Sequence, residues 1–293
     1  MILAKEFSRH PNARNSDFTS NARDRPLVVQ FAANDPVILG NACEMILPYT
    51  DAIGINCGCP QSWACQEGIG ASLMQNPQLV SEMVKSAKNR CGRDLVIETK
   101  MRTHRDLKES VSWAQQMEKA GIDFLVIHGR TKKTRSSEPV DLAAIKLIKE
   151  NVQVPVVANG DAFNMTEVNK IYETTGVDGV MSARGLLSNP ALFAGYKTCP
   201  WSAIERFMVY AQTYELHQAL IQHHVVEMMN SGGYWKKKDR IEFVTRRGID
   251  DILGFLKERY VFREQGDRGY GMVDECISRE QNNGNSGEMS AAL

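Results

Sequence analysis

No apolar run in this chain approaches the ~20 residues needed to span a bilayer. The start, Met1-Ile2-Leu3-Ala4-Lys5-Glu6, lacks the long apolar core of a signal peptide. Net charge is absent as well: 35 Lys and Arg stand against 35 Asp and Glu. No global basic field therefore points to nucleic acid, although a local basic face stays open. The 7 cysteines are odd in number and scattered, unlike a disulfide framework, which favours a reducing compartment. Cys57, Cys59 and Cys65 fit no familiar zinc spacing and have no His nearby, so no metal is expected. These absences leave a soluble intracellular protein, cytoplasmic with the nucleus as the alternative.

What is present is a chain of 293 residues, 43% hydrophobic and 24% charged, enough for one large domain and an appendage. A strand, a polar tip and a helix recur along it. Strands are expected at Leu27–Phe31, Asp51–Ile55, Leu95–Lys100, Phe124–Ile127, Pro155–Ala158 and Gly179–Ser182. Helices are expected from Pro36 to Leu47, Pro77 to Cys91, Leu107 to Ala120, Asp141 to Asn151 and Thr166 to Thr175. Residues 4 to 25 read as a polar loop with at most one helical turn. Such alternation predicts a parallel sheet, most simply a barrel. After Pro200 the pattern becomes helical, over 201–230 and 239–262, and from Arg263 the composition predicts disorder.

The centre of the chain is Ile55-Asn56-Cys57-Gly58-Cys59-Pro60, where a buried strand stops in a rigid turn carrying thiols. Parallel α/β enzymes present their chemistry at such strand ends. A thiol there is suited to be a nucleophile, a proton donor or a metal ligand; equally, both cysteines fit as small buried residues. The loop Glu67-Gly68-Ile69-Gly70-Ala71 would let a ligand approach the backbone.

Six clear strands fall short of the eight of a barrel. The two tips suited to phosphate, Asn159-Gly160-Asp161 and Ala183-Arg184-Gly185, follow the fifth and sixth. Aligned with strands seven and eight of a phosphate-binding barrel, they make the Val28 strand the third and Met1-Ile2-Leu3 a stub of the second. The expected fold is thus a (β/α)8 TIM barrel lacking its first strand and most of its second, followed by a small C-terminal helical domain. Expressed alone, such a chain is expected to be poorly soluble.

Taken in order, Gln30, the Asn-Cys-Gly-Cys-Pro turn, Lys100, His128-Gly129-Arg130, Asn159-Gly160-Asp161 and Ala183-Arg184-Gly185 resemble the tRNA-dihydrouridine synthases. Cys59-Pro60-Gln61 through Gly68-Ile69-Gly70-Ala71 is most similar to the 20a/20b subfamily. The likeness runs over residues 1 to 200, with a looser helical continuation to about 262. It implies a TIM-barrel flavin domain over 1–200, a helical tRNA-binding domain over 201–262, and a disordered tail over 263–293. It also implies FMN-dependent reduction of uridine to 5,6-dihydrouridine in the tRNA D-loop, with NADPH as reductant. By motif position Cys59 would be the proton donor. Gln30, Lys100, His128, Asn159, Gly160, Asp161, Ala183 and Arg184 would hold the flavin, and Asn56, Arg102 and Arg130 the substrate. The family's first strand motif, which contacts the flavin, is not matched here, so impaired flavin binding is expected. A non-catalytic RNA-binding remnant and a flavin barrel reducing a free pyrimidine are the competing readings.

Overall fold

A computed structural model describes residues 1–279. It contains seven parallel strands in consecutive order: β1 Ile2–Leu3, β2 Val28–Ala32, β3 Ala52–Cys57, β4 Val96–Thr103, β5 Phe124–Thr131, β6 Val156–Asn159 and β7 Gly179–Met181. Each pairs with the next, as expected when every crossover is helical. The strand expected at Met1-Ile2-Leu3 is β1, Ile2–Leu3, in register with Phe31 and Ala32. The α/β class and the parallel order agree with the sequence expectation.

Several boundaries differ, for one reason. β3 runs on through Cys57, β4 through Arg102, and β5 through His128-Gly129-Arg130. Polar residues expected as strand tips are in-strand residues, because one face of this sheet is polar near its carboxyl end. Residues 4–25 are also more ordered than expected, with helices Ala4–Arg9 and Pro11–Asp17. Pro11 begins the second helix rather than breaking it. Buried Phe7 anchors the first, with its ring 5.2 Å from that of Phe31.

The chain divides into two compact units, residues 1–161 with 169–181, and residues 162–168 with the chain from Ser182 onward. In the first, Phe31, Ile53, Ile55, Ile97 and Met101 are fully buried. The second begins at Ser182 rather than 201. There Ser182 Oγ donates to Ala162 O at 2.6 Å, and helix Arg184–Ser188 packs on helix Gln218–Gly232. The two expected C-terminal helices are four: Trp201–Thr213, Gln218–Gly232, Lys237–Phe243 and Gly248–Arg259. No described helix is long and apolar enough to cross a membrane.

Residues 263–279, expected to be disordered, pack onto this helical unit; 280–293 lie outside the described residues. Polar composition misled because hydrogen bonds, not apolar burial, order the segment. Trp201 N donates to Asp274 O, Ser202 Oγ to Asp274 Oδ1 at 2.6 Å, Arg206 Nη2 to Gly271 O at 2.6 Å, and Val261 N to Ile277 O. Trp201 is the pivot, fully buried among Tyr234, Tyr260 and Phe262, with Nε1 donating to Val261 O. Trp201→Ala should destabilise this unit by about 3–5 kcal/mol. Denaturant unfolding with limited proteolysis after Tyr260 checks this; unchanged stability and protection would contradict the assignment.

Candidate active site

Side chains alternate between the two faces of a strand, so the register decides which residues meet. Gln30, Gly54 and Glu98 stand side by side, as do Asn56 and Lys100, and likewise Arg102, His128 and Asn159. All lie on one face. Cys57, paired with Met101, lies on the other, fully buried among apolar residues. Burial pushes its thiol pKa up, with the Glu98 charge adding to the effect. It is packing. Cys59, beyond the strand and partly exposed, is the thiol presented at the strand end.

The turn carrying Cys59 is held at each of its peptide groups. The N–H groups of Gly58 and Cys59 donate to Asn56 Oδ1 at 3.1 and 2.9 Å. Gly58 O accepts from Arg102 Nε at 2.7 Å, and Cys59 O from Ala71 N at 2.9 Å. Gly70, at φ +63°, backs the turn; a Cβ there would sit 2.7 Å from Cys59 O, so any side chain would displace it. The Cys59 thiol lies 3.6 Å from Gln61 Oε1, which also accepts from Trp63 Nε1 at 2.9 Å.

Asn56 Nδ2 donates to Gln30 Oε1 at 2.7 Å, and Gln30 Nε2 to Glu98 Oε1 at 3.4 Å. Lys100 Nζ donates to Asn159 Oδ1 at 2.7 Å, while Asn159 Nδ2 donates to Met181 O at 3.0 Å. Arg130 Nη1 faces His128 Nε2 at 3.2 Å. A guanidinium only donates, so Nε2 accepts and the neutral ring carries its proton on Nδ1. Burial and the Arg102, Lys100 and Arg130 charges depress the imidazole pKa to about 3, Asp161 opposing.

Sequence reasoning placed Arg130 at the substrate. Its side chain is 2% exposed, paired with Asp161 and bonded to Glu138 O, so it ties strand end to loop instead. Asn159 is likewise engaged at both ends of its amide. Gly160, at φ +122°, has no room for a Cβ, which would lie 2.6 Å from Val140 Cγ2 and 2.9 Å from His128 Cδ2. Asp161 adopts φ +54°. Gln30, Asn56, Lys100 and Arg102 are brought together as expected. Ala183 and Arg184 belong to the second unit, where Arg184 lies over the Phe163 ring at 5.2 Å.

Glu98 escaped the sequence reading. An acid two residues before Lys100 in an apolar strand was the available signal, since both then share a face. Gly54 was missed too; a Cβ there would meet Glu98 Oε1 at 2.5 Å. Beside the turn opens a cavity of about 630 Å³ lined by Met74, Arg102, His104, Arg105, Lys132 and Lys133. Arg105, Lys132 and Lys133 form no ion pair among the described residues.

Glu98 is held up at about 7, chiefly by burial, with the Gln30 bond and the Lys100 charge opposing. Burial pushes Lys100 down to about 8, Glu98 opposing and Arg102 adding. A carboxyl whose pKa rises on folding from ~4.3 favours the folded state when protonated, and that contribution is lost as pH rises through its folded pKa. Glu98→Gln should therefore gain in Tm relative to wild type as pH rises from about 4.5 to about 7. Thermal unfolding across this window checks it; a constant difference would contradict the buried-carboxyl assignment.

Residues 1–284 match the family described as dihydrouridine synthase (Dus). A tRNA-dihydrouridine(20a/20b) synthase of Schizosaccharomyces pombe, whose name carries NAD(P)+, is 44% identical over 271 residues, 92% of this chain and 82% of that protein. Its namesake in Saccharomyces cerevisiae is 44% identical over 290 residues, 95% of this chain and 79% of that protein. A human protein named as 20a/20b synthase-like is 40% identical over 261 residues, 89% of this chain and 81% of that protein.

Proposed function

This chain belongs to the dihydrouridine synthase family, and from that membership we propose how its residues reduce uridine in tRNA. It is a tRNA-dihydrouridine synthase of the 20a/20b subfamily and an NAD(P)-dependent oxidoreductase. The finer reading is an FMN enzyme using NADPH and working on a β/α-barrel frame, which the consecutive parallel strand order supports. The observation that carries the mechanism is the turn at Cys59, bonded through Asn56 to the polar face that holds Gln30 and Lys100.

That face fits a flavin. Gly54 and Gly160 sit where a Cβ would collide with its neighbours, keeping the packing there close. Lys100, bonded among the described residues only to Asn159 Oδ1, retains two N–H donors for the pyrimidine edge of a flavin, and His128 offers Nδ1–H. Gln30, Lys100 and His128 would hold the ring. A flavin held there would supply hydride, drawn from NADPH, to the uracil.

Cys59 supplies the other half. Its S–H gives a proton to C5 as the C5–C6 double bond is reduced, and the partly exposed turn lets water return a proton to the thiolate. Uridine, NADPH and a proton thus become dihydrouridine and NADP+. Arg102 keeps Gly58 O, and with it the thiol, in place. Arg105, Lys132 and Lys133, which form no ion pair among the described residues, favour a polyanion over a free pyrimidine, with phosphates of the tRNA as their partners. The helical unit, with exposed Lys237 and Lys238, is proposed as a second tRNA-binding element.

Cys59→Ala should bind FMN and accept hydride from NADPH but form no dihydrouridine in tRNA. Undiminished product would assign the proton elsewhere. Replacing Arg105, Lys132 and Lys133 together by Ala should weaken tRNA binding and flatten the slope of log K against log salt by about 2, at ~0.7–0.9 per lost phosphate contact. FMN affinity should not change; an unaltered salt slope would remove the cavity from the RNA surface.

A further inference from the structure

Glu98 has no part in the chemistry above, yet it is 2% exposed and Oε2 has no hydrogen-bond partner among the described residues. Burying a carboxyl costs stability, so its position invites a functional account. The bonds between it and the thiol turn have only one possible direction. Backbone N–H groups can only donate, so Asn56 must turn Oδ1 to Gly58 and Cys59 and Nδ2 to Gln30. Gln30 must then turn Oε1 to Asn56 and Nε2 to position 98. That position needs an acceptor. Gly54 clears the space for it, since a Cβ there would crowd both Glu98 Oε1, at 2.5 Å, and Gln30 Cβ, at 3.3 Å.

We propose that Glu98 is a positioning residue for the reduction: its Oε1 fixes the amide of Gln30 and, through Asn56, the turn that carries Cys59. Without an acceptor at 98 the Gln30 Nε2 loses the partner that fixes its side of the amide, and the Asn56–Gln30 bond is left to hold Gln30 from one end. The proposal rests on Cys59 as the proton donor. The buried carboxyl, held at about 7 by desolvation, stays an acceptor through Oε1 whether or not Oε2 carries a proton.

The test compares wild type, Glu98→Leu, Glu98→Gln, Asn56→Ala and the Glu98→Leu/Asn56→Ala double variant. Two rates are read in single turnovers: flavin reduction by NADPH, and reoxidation of the reduced enzyme by tRNA. A third readout needs no cofactor, namely the rate of iodoacetamide alkylation at Cys59, resolved by peptide mass spectrometry. Glu98→Leu should slow the tRNA step about tenfold, the order expected for one lost buried hydrogen bond, and the NADPH step far less. Glu98→Gln, which keeps an acceptor oxygen, should recover most of that loss. The double variant should be no slower than the worse single one, because both break the same chain. Alkylation of Cys59 should change in Glu98→Leu and not in Glu98→Gln.

Multiplying effects, or a Gln variant as slow as the Leu variant, would overturn the proposal. If Glu98→Leu does not fold, Gly54→Ala, which crowds the same oxygen, must shift Cys59 alkylation, and no shift overturns it. A wild-type enzyme that binds FMN yet forms no dihydrouridine would sink the proton-donor reading, while the alkylation rates would still decide whether Glu98 sets the turn.

Discussion

The site depends on one side-chain oxygen. Asn56 Oδ1 takes the N–H groups of both Gly58 and Cys59, so the thiol turn is fastened to a residue that is itself part of β3. A side chain that accepts from the backbone two and three residues ahead folds the chain back on itself, as an Asx turn does. Here it also joins the turn to the sheet. Its other end reaches Gln30 on β2, and Arg102 on β4 holds Gly58 O from a third strand. A loop thiol gains the positional accuracy of strands, which a proton donor needs when the acceptor is one carbon of one base.

Electrostatics on the same face follow from burial. Glu98, Lys100 and His128 are all moved toward their neutral forms by desolvation. For His128 the three surrounding cations, Arg102, Lys100 and Arg130, push the same way, leaving it a neutral N–H donor at working pH. Lys100 is lowered by burial to about 8, so its charge is held close to working pH. Farther out, Arg105, Lys132 and Lys133 are exposed and form no ion pair among the described residues, so contact with an anion there would cost little desolvation.

Much of this was legible in the sequence, and the failures share a cause. Short apolar runs marked each strand from Val28 onward. Boundaries failed at Asn56, Arg102 and His128 because polarity was taken to end a strand, whereas here it marks one face of strands that continue. Arg130 was placed at the substrate by the resemblance alone; the Asp161 and Glu138 partners that bury it lie in other loops, which no single strand motif displays. Glu98 was passed over because its partner, Gln30, is 68 residues away in the chain. Pairings across strands need the register, and the register comes only with the fold.

The most direct test is positional. Purified protein with FMN and NADPH is given tRNA lacking dihydrouridine, and the product is mapped nucleotide by nucleotide by mass spectrometry. The account predicts dihydrouridine at positions 20a and 20b, with one NADPH consumed for each residue formed. NADPH oxidation in the presence of tRNA with no dihydrouridine, or dihydrouridine confined to other positions, would contradict it.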